Sequence, residues 1–407
     1  MSKQNVVIIG GGSSALMLAC SLDPSTFNIS VYEKNAALGR KFLVAGKGGF
    51  NLTHSENIEQ FAERYQPKAF IEPFLKHFSN TDFRIWLKSI GIETYVGTSK
   101  RVFPVKGIKP IEVLKAIETV MKKNQVSIFY NHEWKGWKNS GLVFSNNDEL
   151  KLIESDIVVF ALGGASWKVT GSDGTWTDYF ETKGIKINPF YPSNCAYQIN
   201  WDRDFIEKNH GSALKNCEFI CGNIKKKGEA VLTEFGIEGS GVYALTKEIR
   251  GQLLSTQTAL ISTDKQLAHI EVDFKPDLSL EEIKIRLENK GKLSIKDVLE
   301  KKIKLSEVQI ALLKIASDKE QYNDSNFLSQ LIKNYPLNIS GFAPIDEAIS
   351  TVGGISLDEV NENLEFKKLP NHYCTGEMLD WDAPTGGYLL QACFSMGKFL
   401  ADQLNNK

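Results

Sequence analysis

Three consecutive glycines, Gly10-Gly11-Gly12, are followed by Ser13-Ser14-Ala15. They stand between an apolar run at 6–9 and a helical apolar pattern at 15–19. The spacing is GxGxxG/A. The first glycine permits a tight strand-to-helix turn, the second lets a pyrophosphate approach the backbone, and the small third residue lets the helix pack on the strand. Ser13 and Ser14 add hydroxyl donors at a helix N-terminus, which offers free N–H groups and partial positive charge to phosphates. Glu33 ends the next apolar run, at 28–33, about 20 residues on, where an acid accepts from both ribose hydroxyls and repels a 2′-phosphate. A surface glutamate at a strand end is the bland alternative, and the complete β-α-β context outweighs it. The expectation is a site for FAD or NAD.

A second group of residues follows at 39–55. It holds Arg40, Lys41, Gly46, Lys47, Gly48, Asn51 and His54 among the apolar Phe42, Leu43, Val44 and Phe50. Backbone amides of such a loop can track a long cofactor from ribose to ring, and Arg40 and Lys41 can offset phosphate charge. The apolar residues want burial, which argues against a flexible surface loop. This favours FAD over NAD. A third group lies near the C-terminus: Gly376, Glu377, Asp380 and Asp382, then Thr385-Gly386-Gly387-Tyr388 opening a helical pattern to about 403. A helix N-terminus there would stabilise negative charge on a reduced flavin ring. The clustered acids are read as cofactor or backbone contacts in preference to a metal site.

The elements that position these residues follow from periodicity. Apolar runs at 6–9, 28–33, 126–130 and 157–162 read as buried strands, the last ending in Gly163-Gly164. Helical patterns are expected at 60–78, 81–90 and 108–124, a short strand pair at 94–105, and a small meander at 134–154. Short alternating segments fill 193–276. Three Ser-x-x-acid/amide signatures, Ser279 with Glu282, Ser294 with Asp297 and Ser306 with Gln309, announce helices in 277–337; the middle one is a looser aspartate variant. The expected fold is α/β: a discontinuous Rossmann-like FAD-binding domain (1–192 and 338–407), an inserted antiparallel β unit (193–276) and a small helical subdomain (277–337).

Composition bounds the function. The chain has 407 residues, 48 basic and 49 acidic, and a formal charge of −1, so bulk charge gives no support for nucleic-acid binding. Six cysteines make no disulfide framework, and Cys217 and Cys221 in CxxxC spacing read as two packed thiols. The six histidines show no metal-ligand spacing, so no metal is expected. No signal peptide and no run long enough to span a bilayer is seen, which makes the expected location cytoplasmic, with no membrane partner.

The runs GRKFLVAGKGGFNLTHS, ALGGASWKVTGSDGTWTDYF and TGEMLDWDAPTGGYLLQACFSMGKFLAD together resemble the bacterial BaiN/RdsA-like NAD(P)/FAD-dependent oxidoreductases, which have a glutathione-reductase-like FAD fold. The resemblance covers residues 6–400, with GEAVLTEFGIEGSGVYAL matching inside the insertion. It implies ADP-binding roles for Gly10, Gly12, Ala15 and Glu33. It implies a loop beside the flavin at Arg40, Lys41, Gly46, Gly48 and Asn51, and a second glycine turn at Gly163 and Gly164. Contacts to the ribityl–pyrophosphate region fall on Gly376 and Glu377, and contacts near the pyrimidine edge on Thr385, Gly386, Gly387 and Tyr388. Ser13, Ser14, Lys34, Trp134 and Asp380 complete the expected cofactor contacts. Where many relatives carry Arg-Cys before the loop asparagine, this chain has Gly49-Phe50, which excludes a cysteine mechanism there. Candidate proton donors are Lys47, His54 and Tyr388.

The function expected is hydride transfer from NADH or NADPH, bound transiently because there is no second GxGxxG unit, through FAD to a small organic acceptor. The resemblance suggests an activated C=C bond. A flavin-bound sensor without fast turnover is the alternative, and a flavin-dependent tRNA-modifying enzyme is disfavoured by the neutral charge and the lack of a basic stripe. The sequence leaves the oligomeric state open.

Overall fold

The computed structural model describes residues 2–44, 50–255 and 267–407. Gly46, Lys47 and Gly48 therefore lie outside the described residues. The chain divides into two compact units, residues 1–192 with 349–407, and residues 193–348.

The first unit is built on a five-stranded parallel sheet. Its strands are β1 (Gln4–Ile9), β2 (Phe27–Glu33), β3 (Ser127–Tyr130), β4 (Ile157–Phe160) and β5 (His372–Cys374), in the order β5-β4-β1-β2-β3. Val6 to Ile9 and Ile157 to Phe160 are buried throughout. That suits strands covered on both faces, for which continuous apolar runs replace alternation. β1 pairs with β4 from Val6↔Ile157 to Ile9↔Phe160, and with β2 on its other side as far as Ile9↔Tyr32. The chain leaves β1 toward β2, while β4 flanks it on the opposite side. The strand order thus reverses at the carboxyl ends of β1 and β4, where open α/β sheets form a crevice.

Helices cover the sheet. Pro110–Lys123 buries Val113, Leu114, Ile117 and Met121, the i, i+4, i+8 stripe of an amphipathic helix. The first helix, Ser13–Ser21, crosses the last, Tyr388–Asn405, at Gly397. A Cβ at Gly397 would lie 2.3 Å from the Ser14 carbonyl oxygen, so only glycine allows the two backbones to approach this closely. The unit also carries the meander of Glu133–Lys138, Gly141–Asn146 and Glu149–Ile153, a small sheet of Thr53–His54, Arg101–Pro104 and Thr94–Val96, and further short helices. Two departures are local: Arg40–Val44, read above as loop, is a short helix that buries Phe42, and the one helix expected at 60–78 is two, Ile58–Ala62 and Lys68–His77, broken ahead of Pro67.

The second unit carries a seven-stranded antiparallel sheet and several short helices. Strand residues such as Phe219 and Val272 and helix residues such as Ile283 and Leu312 belong to one hydrophobic core. Residues 193–276 and 277–337 therefore form one body, not two. The unit extends to residue 348, beyond the expected boundary at 337, because Tyr335–Ile339 pairs with Ala268–Asp273 from Val272↔Tyr335 to Ala268↔Ile339. Ser279, Ser294 and Ser306 each cap a helix reciprocally. The aspartate variant closes as well: Ser294 Oγ donates to Asp297 at 2.5 Å, and the Ser294 N–H reaches it at 3.4 Å.

Candidate cofactor cleft

A cleft of about 760 Å³ opens in the first unit at the carboxyl ends of β1 and β4. Its floor is the glycine turn. Gly10 has φ +99°, and a Cβ there would sit 2.4 Å from the Ala161 carbonyl oxygen, so both conformation and space demand glycine. Gly12 differs. Its backbone is extended, and a Cβ would meet nothing closer than Ala161 O at 3.9 Å. The protein leaves that side open to the cleft. No side chain caps the helix that starts at Ser13. Its first N–H groups and its positive end therefore remain available at the cleft floor.

At the end of β2 the Glu33 carboxylate is buried and already engaged. Oε2 accepts from the Gly11 N–H at 2.8 Å, and Oε1 accepts from the Asn35 N–H at 2.8 Å and from Asn35 Nδ2 at 2.6 Å. Asn35 in turn accepts from Arg40 Nη1 at 2.5 Å. Lys34 is paired with Asp173 at 2.8 Å. Lys41 Nζ donates to Ser166 Oγ and Glu377 Oε2, both at 3.0 Å.

The opposite wall comes from the C-terminal segment. The hydroxyls of Ser14 and Thr375 are 2.6 Å apart. Gly376 has φ +83°, and a Cβ there would lie 3.2 Å from the Ser14 side chain. Gly387, at φ +95°, is the N-cap of the last helix, again without a side-chain cap. A Cβ on it would collide with the Thr53 backbone at 2.6 Å. The Nε1 atoms of Trp134 and Trp167, two cleft-lining indoles, are buried with no hydrogen-bond partner among the described residues. Such a donor costs stability unless something accepts from it.

The cleft gathers Gly10, Gly12, Ser13, Ser14, Glu33, Lys34, Arg40, Lys41 and Asn51 from the first half of the chain. Trp134, Gly163, Gly376, Glu377, Gly386 and Gly387 line it from the remainder. Thr385 lines it too, whereas Ala15, Gly164, Asp380, His54 and Tyr388 do not. Ala15 is buried in the helix–strand packing. Gly164 faces Thr351, whose Oγ1 would lie 2.2 Å from a Cβ. Asp380 accepts from Asn188 Nδ2 at 2.6 Å and from the Gly353 N–H at 2.9 Å, so it braces a loop away from the cleft.

His54 and Tyr388 also lie off the cleft. The Tyr388 hydroxyl donates to Glu56 Oε2 at 3.0 Å, and its ring stacks on His54 with centroids 5.2 Å apart. Arg64 reaches the same carboxylate at 2.5 and 3.1 Å. Burial pushes the Tyr388 hydroxyl well above its ordinary range, with the Glu56 charge adding to the effect, and burial lowers His54. The first residue of a helix directs its side chain back past the N-terminus, here into this buried cluster. Neither group is placed to deliver a proton in the cleft.

Sequence reasoning missed Arg101, Trp167, Asp173 and Thr375, which also line the cleft. Only Thr375 and Asp173 stood next to a visible glycine signal. Among the described residues no cluster of three or more His, Cys, Asp or Glu side chains is arranged to hold a metal, and no helix is long and apolar enough to cross a membrane.

Known proteins resemble this chain over its whole length. The 3-dehydro-bile acid delta(4,6)-reductase of Clostridium scindens is 24% identical over 96% of both chains. The ribosomal RNA dihydrouridine synthase of Haemophilus influenzae is 21% identical over 96% of this chain and 95% of its own. Among solved structures, the 3-ketosteroid-delta4-(5alpha)-dehydrogenase of Rhodococcus jostii RHA1 superposes with a TM-score of 0.50 at 13% identity. It covers 98% of this chain and 96% of its own, a likeness of fold alone. The family described as HI0933-like protein Rossmann domain matches residues 4–403. With that match over a doubly flanked parallel sheet and its glycine-floored cleft, the chain belongs to the HI0933-like Rossmann-domain family.

Proposed function

We propose that the chain is an FAD-dependent oxidoreductase that adds two hydrogens across a carbon–carbon double bond of a small organic acceptor, with NADH or NADPH as a transient donor. The observation that carries this is the open side of Gly12, set in a cleft bounded by two helix N-termini that no side chain caps. The cleft's volume of about 760 Å³ lies within the range of cofactor sites, about 300–1,000 Å³.

The residues present fit FAD. The N–H groups of Ser13 and Ser14 and the guanidinium of Arg40 would hold the pyrophosphate. Glu33 keeps accepting capacity at the ribose position, because a carboxylate has about four lone-pair sites and three are in use. The indole N–H groups of Trp134 and Trp167 would find acceptors. The helix beginning at Tyr388 would favour negative charge placed against its first N–H groups. FAD, when bound, supplies the two-electron chemistry, accepting a hydride and passing it on. Lys47, a candidate proton donor, lies outside the described residues.

The acceptor class rests on the relatives' names. A delta(4,6)-reductase and a dihydrouridine synthase both add hydrogen to an unsaturated ring. The sequence has one GxGxxG/A unit, and the described residues form one five-stranded parallel sheet, so the nicotinamide donor is given no separate domain. The test is anaerobic. Purified protein is mixed with NADH or NADPH, then with a cyclic enone or a uridine-containing RNA, while the flavin absorption is followed. Bleaching by the donor and recovery with the enone is the expected result. Bleaching that neither donor produces, or that no unsaturated acceptor reverses, contradicts the proposal; recovery only with RNA moves the acceptor out of the small-molecule class.

A further inference from the structure

The basic side chains lining the cleft differ in what they face. Lys34, Lys41 and Lys135 are each held by a carboxylate, Asp173 at 2.8 Å, Glu377 at 3.0 Å and Glu133 at 2.6 Å. Arg40 donates to the neutral amide of Asn35, just after β2, and is proposed above to hold the pyrophosphate. Arg101 has neither kind of partner: its guanidinium makes no hydrogen bond or ion pair with any described residue. It is half-buried on the cleft wall, where a guanidinium can make charge-assisted hydrogen bonds to an anionic oxygen.

Its position is fixed. Arg101 opens the strand Arg101–Pro104 and pairs in register with His54. Its Nε lies 3.3 Å from where a Cβ on Gly386 would be, so glycine at 386 leaves the guanidinium its place beside the start of the last helix. A guanidinium unpaired among the described residues and an uncapped helix N-terminus thus lie side by side in the cleft.

We propose that Arg101 binds the substrate oxygen that carries or acquires negative charge, and so determines which unsaturated molecules are reduced. The inference rests on the oxidoreductase reading above. The acceptor is then a C=C bond conjugated to a carbonyl. FAD, when bound and reduced, would supply the hydride that forms a C–H bond at the β-carbon. The C=C pair becomes the bond between the α-carbon and the carbonyl carbon, and the carbonyl π pair moves onto oxygen. That oxyanion meets Arg101 through charge-assisted hydrogen bonds. A proton taken up at the α-carbon restores the carbonyl, so the net change is two hydrogens added. A substrate carboxylate offers the same chemistry in permanent form.

The test uses the holoprotein with Arg101→Gln and Arg101→Lys, and p-nitrophenol as the probe, since its phenolate stands in for the enolate. Absorption reports how much of the bound probe is phenolate. Arg101→Gln should weaken phenolate binding by about 10- to 100-fold, as for a hydrogen bond to a charged group, with Arg101→Lys recovering part and FAD content equal in all three proteins. With an enone acceptor, a fall in kcat at little-changed KM identifies a developing oxyanion. A rise in KM confined to carboxylated acceptors identifies a permanent one. Unchanged phenolate binding in flavin-replete Arg101→Gln overturns the inference and leaves the oxidoreductase reading standing. Loss of FAD from that variant also overturns it, because Arg101 would then serve the cofactor. Wild-type protein that takes up no FAD defeats the oxidoreductase reading itself.

Discussion

The hydroxyl oxygens of Ser14 and Thr375 lie 2.6 Å apart, although 361 residues separate them in the chain. One belongs to the first helix turn after the glycine triplet, the other to the segment that follows β5. Both are buried, and together they fasten the two ends of the chain across the cleft floor. Replacing Thr375 with valine keeps the shape and leaves the Ser14 hydroxyl buried without that partner. The expected cost is about 1–3 kcal/mol, read as a lower melting temperature. A melt identical to wild type contradicts this.

Gly10 and Gly12 separate folding from cofactor binding. Gly10→Ala forces a Cβ into the Ala161 carbonyl at a positive φ and should destabilise the fold by about 1–3 kcal/mol. Gly12→Ala meets open space and should leave the melt of the cofactor-free protein within about 0.5 kcal/mol of wild type. It should still weaken FAD retention by about tenfold, or 1.4 kcal/mol. Thermal melts of stripped protein and FAD content after dialysis check the pair. Equal retention by Gly12→Ala would show that nothing approaches that backbone.

The buried cluster around Glu56 sets an acid dependence. Burial raises the Glu56 carboxyl, but hydrogen bonds from Arg64 and Tyr388 and the Arg64 charge outweigh it, holding the group below its ordinary 4.5. Burial, only partly opposed by Glu56, likewise holds His54 below its ordinary 6.5. In both cases the unfolded chain binds more protons than the folded one. The stability is present above those ordinary values and is lost as pH falls through the depressed ones. Glu56→Gln should cost about 1–3 kcal/mol near neutrality, and its difference from wild type should shrink below pH 4.5. Urea unfolding at a series of pH values reads this, and a pH-independent difference contradicts it.

All six cysteines are free and buried. Burial pushes Cys20 up to about 12, and Cys217 and Cys221 up to about 11. A chromogenic thiol reagent should therefore modify the native protein slowly at mildly alkaline pH and titrate all six groups after denaturation. Rapid modification of a thiol in the native protein would reopen a cysteine-based step.

The glycine turn, Glu33 and the uncapped last helix were legible in the sequence because each is a local pattern: spacing, strand period and helix start all lie within a few residues. Arg101 was not, since nothing around it marks a site until strand pairing brings it to Gly386. Trp167 stands inside the run ALGGASWKVTGSDGTWTDYF, but nothing in its spacing marks the indole as a cleft group. His54 and Tyr388 were misjudged because nearness in sequence to cleft residues does not fix where a side chain points. Their rings turn to Glu56 instead. The second boundary was missed because Tyr335–Ile339 belongs to a sheet whose other strands lie far earlier in the chain.

The central claim is that the cleft at the ends of β1 and β4 holds FAD. The visible absorption spectrum of the purified protein, before and after reconstitution with FAD and removal of excess, tests it most directly. The account expects the two absorption bands of oxidised flavin, one FAD per chain, reduced in the Gly12→Ala protein. Wild-type protein that stays colourless after reconstitution, with its melting temperature unmoved by FAD, would contradict it.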